Sequence, residues 1–358
     1  MVTPAEILMG AFTDADKIYI NGICCGSSYD RYASRIYPVA PGILRAGENV
    51  VCIHLYVFRG RGGAMPGKQY GIRFKKGKER WLDLSGTWDA QIRKQMEYLP
   101  EKTFFNYMAS AMFNGMISPV SPYKICAVIY YQGESDVGHP NRYALEFRAL
   151  VNDWRKSWKE KQLPIIYVQL AGFSDGNIKK QGTQWAEFRE VQRQAMEIEN
   201  TAMVQAYDVG EYNDLHPMDK KALGMRAALA VHKLVYGEKE ECTGPQVRKI
   251  RLDRDKRVYA VFDQPLQTGS KKDGCELVSE VELRKANGDY KRAYVTVDGN
   301  EICAWLSDGE EPTGIRYAWK DCPMNICLYG KRGLPVIPFI KEWGRDAIYT
   351  GKICETDR

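Results

Sequence analysis

The chain has 358 residues, 44% of them hydrophobic and 27% charged, a composition ordinary for a folded protein with room for two or three domains. No run approaches the ~20 apolar residues that a membrane-spanning helix requires. The net charge of +6 comes from Lys and Arg interspersed with acids; the densest basic stretch, 73–80 (Arg-Phe-Lys-Lys-Gly-Lys-Glu-Arg), reads as a solvated hairpin rather than a nucleic-acid surface.

Residues 1–86 read as all-β. Lys17-Ile18-Tyr19-Ile20-Asn21-Gly22 is a strand running into a turn, and 49–58 is a β-rich run entered through Arg45-Ala46-Gly47-Glu48. The segment 60–67 (Gly-Arg-Gly-Gly-Ala-Met-Pro-Gly) is too glycine-rich for regular structure. Short strands with frequent turns suggest a β-sandwich or jelly roll. Tyr19, Tyr29, Tyr32 and Tyr37 could serve as aromatic platforms for a glycan, although packing accounts for them equally well.

From 101 to 237 the pattern alternates. The apolar run 125–131 predicts a strand buried on both faces of a parallel sheet. Tyr143, Phe147, Leu150, Val151 and Trp154 follow helical spacing. A second buried strand is expected over 164–170, a helix carrying Trp185, Phe188, Gln192 and Ala195, and a third strand over 202–207. A final helix over 219–236 places Leu223, Ala227 and Val231 on one stripe and stops at Gly237. Successive β-α units imply a parallel sheet with helices on its faces. Residues 245–358 revert to short alternating strands at 257–262, 280–284, 294–297 and 302–305, with Asp298-Gly299-Asn300 as a turn.

The ten cysteines are scattered, with Cys24-Cys25 the only close pair and no C-x-x-C, which argues against a zinc site or a redox motif. The N-terminus, Met-Val-Thr-Pro-Ala-Glu, shows no charged region leading into an apolar core, so no signal peptide is visible.

Ligands in open α/β sheets bind beyond the carboxyl ends of the strands. Three loops leave such ends here: 132–136, 172–176 and 208–216. His216 is the strongest catalytic candidate of the four histidines. His54 falls in a strand and His232 in mid-helix, whereas His216 precedes Pro217 at a loop-to-helix junction with carboxylates nearby. An imidazole beside a carboxylate suits a general base, because the acid fixes the tautomer and stabilises the imidazolium. Gln132 carries an amide able to donate to a developing oxyanion, Gly133 permits close backbone approach, and Glu134 and Asp136 add negative charge. A second constellation, Gly172-Phe173-Ser174-Asp175-Gly176, fits G-x-S-x-G, and the order Ser174, Asp208, His216 matches an α/β-hydrolase triad. A nucleophile elbow needs a helix directly after it; Asn177 to Gly182 reads as loop instead.

These residues match a family. Tyr131-Gln132-Gly133-Glu134-Ser135-Asp136 resembles the W-Y-Q-G-E-S-N block of the sialate O-acetylesterase family, within the SGNH hydrolases. Phe113-Asn114-Gly115-Met116-Ile117-Ser118-Pro119 resembles its Y-N-G-M-I-x-P lead-in, and Tyr143 to Trp158 its Y-x-x-x-F…L-x-x-D-W-R-x-x-W helix. Asp214-Leu215-His216-Pro217…Lys220…Gly224-Met225-Arg226 is similar to its D-I-H-P…K…G-x-R block. Tyr317-Ala318-Trp319 and Gly333-Leu334-Pro335 look like the tail of its C-terminal β region, and 14–22 like the β domain inserted in these enzymes.

The resemblance implies an α/β fold with an SGNH-type three-layer parallel sheet, partial in this chain. An inserted jelly-roll-like β domain would occupy 1–86, the catalytic region 87–240 and a C-terminal β domain 241–358. It implies hydrolysis of acetyl esters on sialic acid or a related sugar by a serine mechanism, with no metal or organic cofactor, in a periplasmic or extracellular setting. Carried over, His216 is the base, Gln132 the oxyanion donor and Glu134 a support for the loop.

Two features depart from the pattern. No G-Q-S-N or G-D-S segment occurs; in the family it lies upstream of the inserted β domain, about where this chain begins, so a chain lacking its nucleophile and first sheet strand, and with it most activity, is expected. The position three before the histidine, where SGNH enzymes often place the triad acid, is Asn213, leaving Asp214, Asp208 or Glu211 as the acid. Two other functions compete: a non-catalytic carbohydrate-binding or scaffold protein, and an α/β-hydrolase-like esterase using Ser174.

Overall fold

A computed structural model describes residues 5–30, 33–75, 80–97, 103–105, 108–174, 181–268, 280–343 and 354–355. Tyr32, the tip of the basic stretch (76–79), and the end of the G-x-S-x-G segment together with the loop residues up to 180 lie outside them. The chain divides into two compact units, Met1–Met108 and Ala109–Arg358.

The first unit is built from β1 (Ala5–Met9), β2 (Ala15–Ile20), β3 (Ile23–Ser28), β4 (Ile36–Val39), β5 (Val51–Tyr56), β6 (Tyr70–Phe74) and β7 (Arg80–Asp83). They form two antiparallel sheets, in order β4-β1-β6-β7 and β3-β2-β5. Ile7, Met9, Ile18, Ile20 and Ile72 share one core between them. The strands on either side of the basic stretch pair antiparallel, with Phe74 opposite Arg80. Asn21 and Gly22 turn the chain with positive φ at both positions, the geometry a tight hairpin requires. Under these sheets Arg35 and Asp16 form an ion pair at 2.7 Å with both side chains wholly excluded from solvent.

In the second unit β8 (Val128–Tyr130), β9 (Ile165–Val168) and β10 (Thr201–Val204) form a parallel sheet in order β10-β9-β8. Helices α1 (Pro140–Ser157), α2 (Gln184–Gln194) and α3 (Lys220–Tyr236) alternate with them. Every residue of β9 is buried, and they serve two cores in alternation. Ile165 and Tyr167 pack with Tyr143, Phe147 and Val151 of α1 and Phe188 of α2; Ile166 and Val168 pack with Leu223, Ala227 and Ala230 of α3. That alternation is the period-2 geometry of a strand covered on both faces, and each such large side chain contributes roughly 1.5–3 kcal/mol of burial. Helix α3 starts where the Asp219 carboxylate caps the Ala222 N–H and ends at Gly237 in the left-handed conformation.

Strand β8 differs from expectation. It spans three residues rather than seven, lies at the sheet edge, and leaves the Ile129 side chain 58% exposed. Its apolar sequence suits a central strand, yet among the described residues it has a neighbour on one side alone. The lead-in before it contains a π-helical turn over Phe113–Ile117, with Met112 and Met116 exposed.

The rest of the unit is antiparallel β. One sheet runs Tyr294–Asp298, Glu301–Trp305, Val258–Phe262, Val247–Leu252, Cys354–Glu355; another runs Tyr290–Arg292, Val281–Arg284, Gly314–Tyr317, Phe339–Glu342. Their shared core includes Phe262, Leu283, Ile302, Ile315 and Phe339.

Candidate active site

Because the three strands are parallel, the loops after β8, β9 and β10 all leave the same edge of the sheet. β9 lies between the other two, so the exits of β8 and β10 are two strand spacings, ~10 Å, apart. The 131–136 tip and the 205–219 loop, which carries His216, therefore start on one side of the molecule.

The β8 tip is tightly determined. Gly133 is buried at φ +148°, and a Cβ there would lie 3.0 Å from the Phe188 ring. Conformation and space thus both require glycine. The Gly133 N–H donates to Glu134 Oε2 at 3.0 Å, and the Gly133 carbonyl accepts from Asp136 N–H at 2.9 Å. Glu134 therefore braces the turn and occupies the Gly133 N–H. Gln132 is exposed, and its Oε1 accepts from the Tyr130 hydroxyl at 2.8 Å. Burial, with Tyr143 and the carboxylates of Asp136 and Glu134 beside it, raises the Tyr130 phenol well above its ordinary range. It stays a donor, which turns the Gln132 amide so that its NH2 faces away from Tyr130.

His216 sits at the far end of the 205–219 loop. Asp214 is buried, and its Oδ1 accepts the His216 backbone N–H at 2.9 Å, a local turn of the kind Asp favours. The same oxygen lies 3.9 Å from His216 Nδ1, and the imidazole is half exposed. At that separation the pair is an electrostatic contact rather than a hydrogen bond; catalytic contacts commonly tighten only when substrate is bound. Asp208, one of the two alternative acids beside Glu211, is engaged elsewhere: both its oxygens accept from Arg226 of α3 at 2.7 Å.

Two contacts tie the loops together. Lys220, four residues after His216, places its ammonium 5.5 Å from the Tyr131 ring centre, bringing the start of α3 to the exit of β8. The Ser174 N–H donates to the Tyr212 carbonyl, joining the β9 and β10 loops. Ser174 itself lies in irregular chain, and the residues directly after it, where a nucleophile elbow would need its helix, lie outside the described ones.

Residues 90–233 match the family model described as carbohydrate esterase, sialic acid-specific acetylesterase. Over these residues the chain is similar to this family. Among its relatives are sialate O-acetylesterases from Homo sapiens, 28% identical over 264 residues (64% of this chain, 48% of that protein), and from Mus musculus, 31% identical over 275 residues (65% and 47%). The chain thus spans about half the length of the curated relatives it matches. A carbohydrate acetylesterase from Xanthomonas citri has a similar fold, with a TM-score of 0.59, 18% identity, and coverage of 95% of this chain and 96% of that one. The family-model match takes in the 131–136 tip, the His216 loop and most of α3.

Two positions escaped sequence reasoning. Tyr130, which orients Gln132, stands where the family block carries Trp. Arg226 was visible only as a motif letter, although a usable signal existed: it falls on the same buried stripe of α3 as Leu223, Ala227 and Ala230. A cation on an apolar stripe must find a partner.

Proposed function

We propose that the chain carries the base and oxyanion side of a carbohydrate O-acetylesterase site, of the sialate 9-O-acetylesterase kind, acting on O-acetylated sialic acid or a related sugar. The observation that carries this reading is the shared sheet edge: a braced Gln-Gly-Glu tip after β8 and an Asp/His turn after β10, linked through Lys220 and Tyr131. In such a mechanism a serine oxygen attacks the acetyl carbonyl carbon while His216 accepts the serine proton. The Gln132 NH2 donates to the oxyanion. His216 then returns the proton to the departing sugar oxygen, and water repeats the sequence to release acetate. Asp214, two residues before His216, is the acid of this scheme, and Glu134 holds the tip.

The G-Q-S-N serine of the family pattern does not occur in these 358 residues. We therefore expect the isolated chain to hydrolyse acetyl esters weakly at best, since without the triad nucleophile only water activated by His216 is left to attack the acetyl carbonyl. Incubation with an aryl acetate and a fluorophosphonate probe tests this. Residual turnover that falls in His216→Gln and Gln132→Ala, with no serine labelled, is the expected result. Labelling of Ser174 would replace this reading with the α/β-hydrolase one. Glycan binding without any His216-dependent turnover would favour the carbohydrate-binding alternative.

A further inference from the structure

Arg226 anchors the base of the His216 loop. Arg226 is 8% exposed. It donates through Nη1 to the Gln205 carbonyl and to Asp208 Oδ1, and through Nη2 to Asp208 Oδ2, all at 2.7 Å. This bidentate geometry is the strongest that a guanidinium offers a carboxylate. Asp208 and Arg226 are eighteen positions apart, and between them lie the entire His216 turn and the start of α3. The ion pair therefore closes that stretch into a ring, since the helix that receives the loop at Lys220 also reaches back, ~9 Å along its axis, to hold the loop's beginning.

The constraint passes along the loop through close contacts. Gln205 Oε1 accepts the Gly244 N–H at 2.9 Å, fixing the base from the opposite side. Gly210 lies so near the loop after β9 that a Cβ there would sit 3.1 Å from both Ala171 Cβ and the Gly172 carbonyl. The Tyr212 carbonyl accepts from Ser174, Asp214 N–H donates to the Glu211 carbonyl at 3.1 Å, and Asp214 then takes the His216 N–H.

From this arrangement, and resting on the reading of His216 as base, we infer that Arg226 is a positioning residue: it fixes the frame of the Asp214–His216 turn, and by occupying both oxygens of Asp208 it withdraws that carboxylate from service to the imidazole, leaving the role to Asp214.

The test uses NMR of the full chain and needs no turnover, so it is separable from the esterase reading, which His216→Gln tests through aryl acetate hydrolysis. In Arg226→Met the backbone amides of Asp214 and His216 should exchange with solvent at least tenfold faster, while those of β9 and of α3 beyond Ala227 keep native protection. The double variant Asp208→Asn/Arg226→Met leaves no unpaired charge in the site, so it guards against simple misfolding, and should show the same local loosening. Native exchange rates at Asp214 and His216 in both Arg226 variants, or a uniform rise across the unit, would reduce Arg226 to a general stabiliser and overturn the inference.

Discussion

Gly133 concentrates several demands on one residue. Its φ of +148° is a conformation that side chains with a Cβ seldom adopt, and the Phe188 ring occupies the space a methyl would need. Gly133→Ala should destabilise the second unit by ~1–3 kcal/mol from backbone strain, with the crowding against Phe188 adding to it, measurable as a lower urea midpoint at unchanged slope. The same substitution should disturb the Tyr130–Gln132 hydrogen bond, because the tip can relieve the clash only by moving. Glycine at this position was legible in the sequence as a site of close approach. That Glu134 would take its N–H was not, since a carboxylate one residue away can point anywhere until the turn is built.

At the scale of elements, β8 is the exception in its sheet. Strand β9 is buried residue by residue because α1 and α2 cover one face and α3 the other. Strand β8 has a single neighbour among the described residues and exposes Ile129 at 58%. An apolar edge with open backbone hydrogen-bonding groups invites pairing between molecules. Ile129→Lys should therefore lower concentration-dependent light scattering while leaving the melting temperature within a few degrees of the parent. The helices were readable from periodicity: Tyr143, Phe147 and Val151 face the core of α1 as their spacing requires. The length and edge position of β8 were not readable, because an apolar run is the same string whether or not a neighbour lies on each side.

At the scale of the whole molecule, the second unit is held together by polar side chains buried between its α/β and antiparallel β parts. Arg189 of α2 is 1% exposed and donates to the carbonyls of Lys320 and Asp321, while the Asp321 carboxylate accepts the Trp185 N–H at 2.8 Å. Burial lowers the Arg189 guanidinium to about 10, which leaves it charged at neutral pH and dependent on those carbonyls. Arg189→Ala should cost ~3 kcal/mol or more, since it removes charged hydrogen bonds and leaves both acceptors unpaired in the interior. The loss should register as faster amide exchange on both sides of the seam, in α2 and in 314–322.

The order of elements, the buried character of β9, the α1 and α3 stripes, the glycine at the tip and the histidine before Pro217 were all determined by the sequence, because each follows from local spacing or from the conformational freedom of a single residue. Tertiary structure alone decided that Asp208 belongs to Arg226, that Asp214 stands 3.9 Å from the imidazole, and that Lys220 lies over Tyr131. Those are pairings between residues that only folding brings together, and a charged side chain has no assigned partner until the chain around it has taken its path.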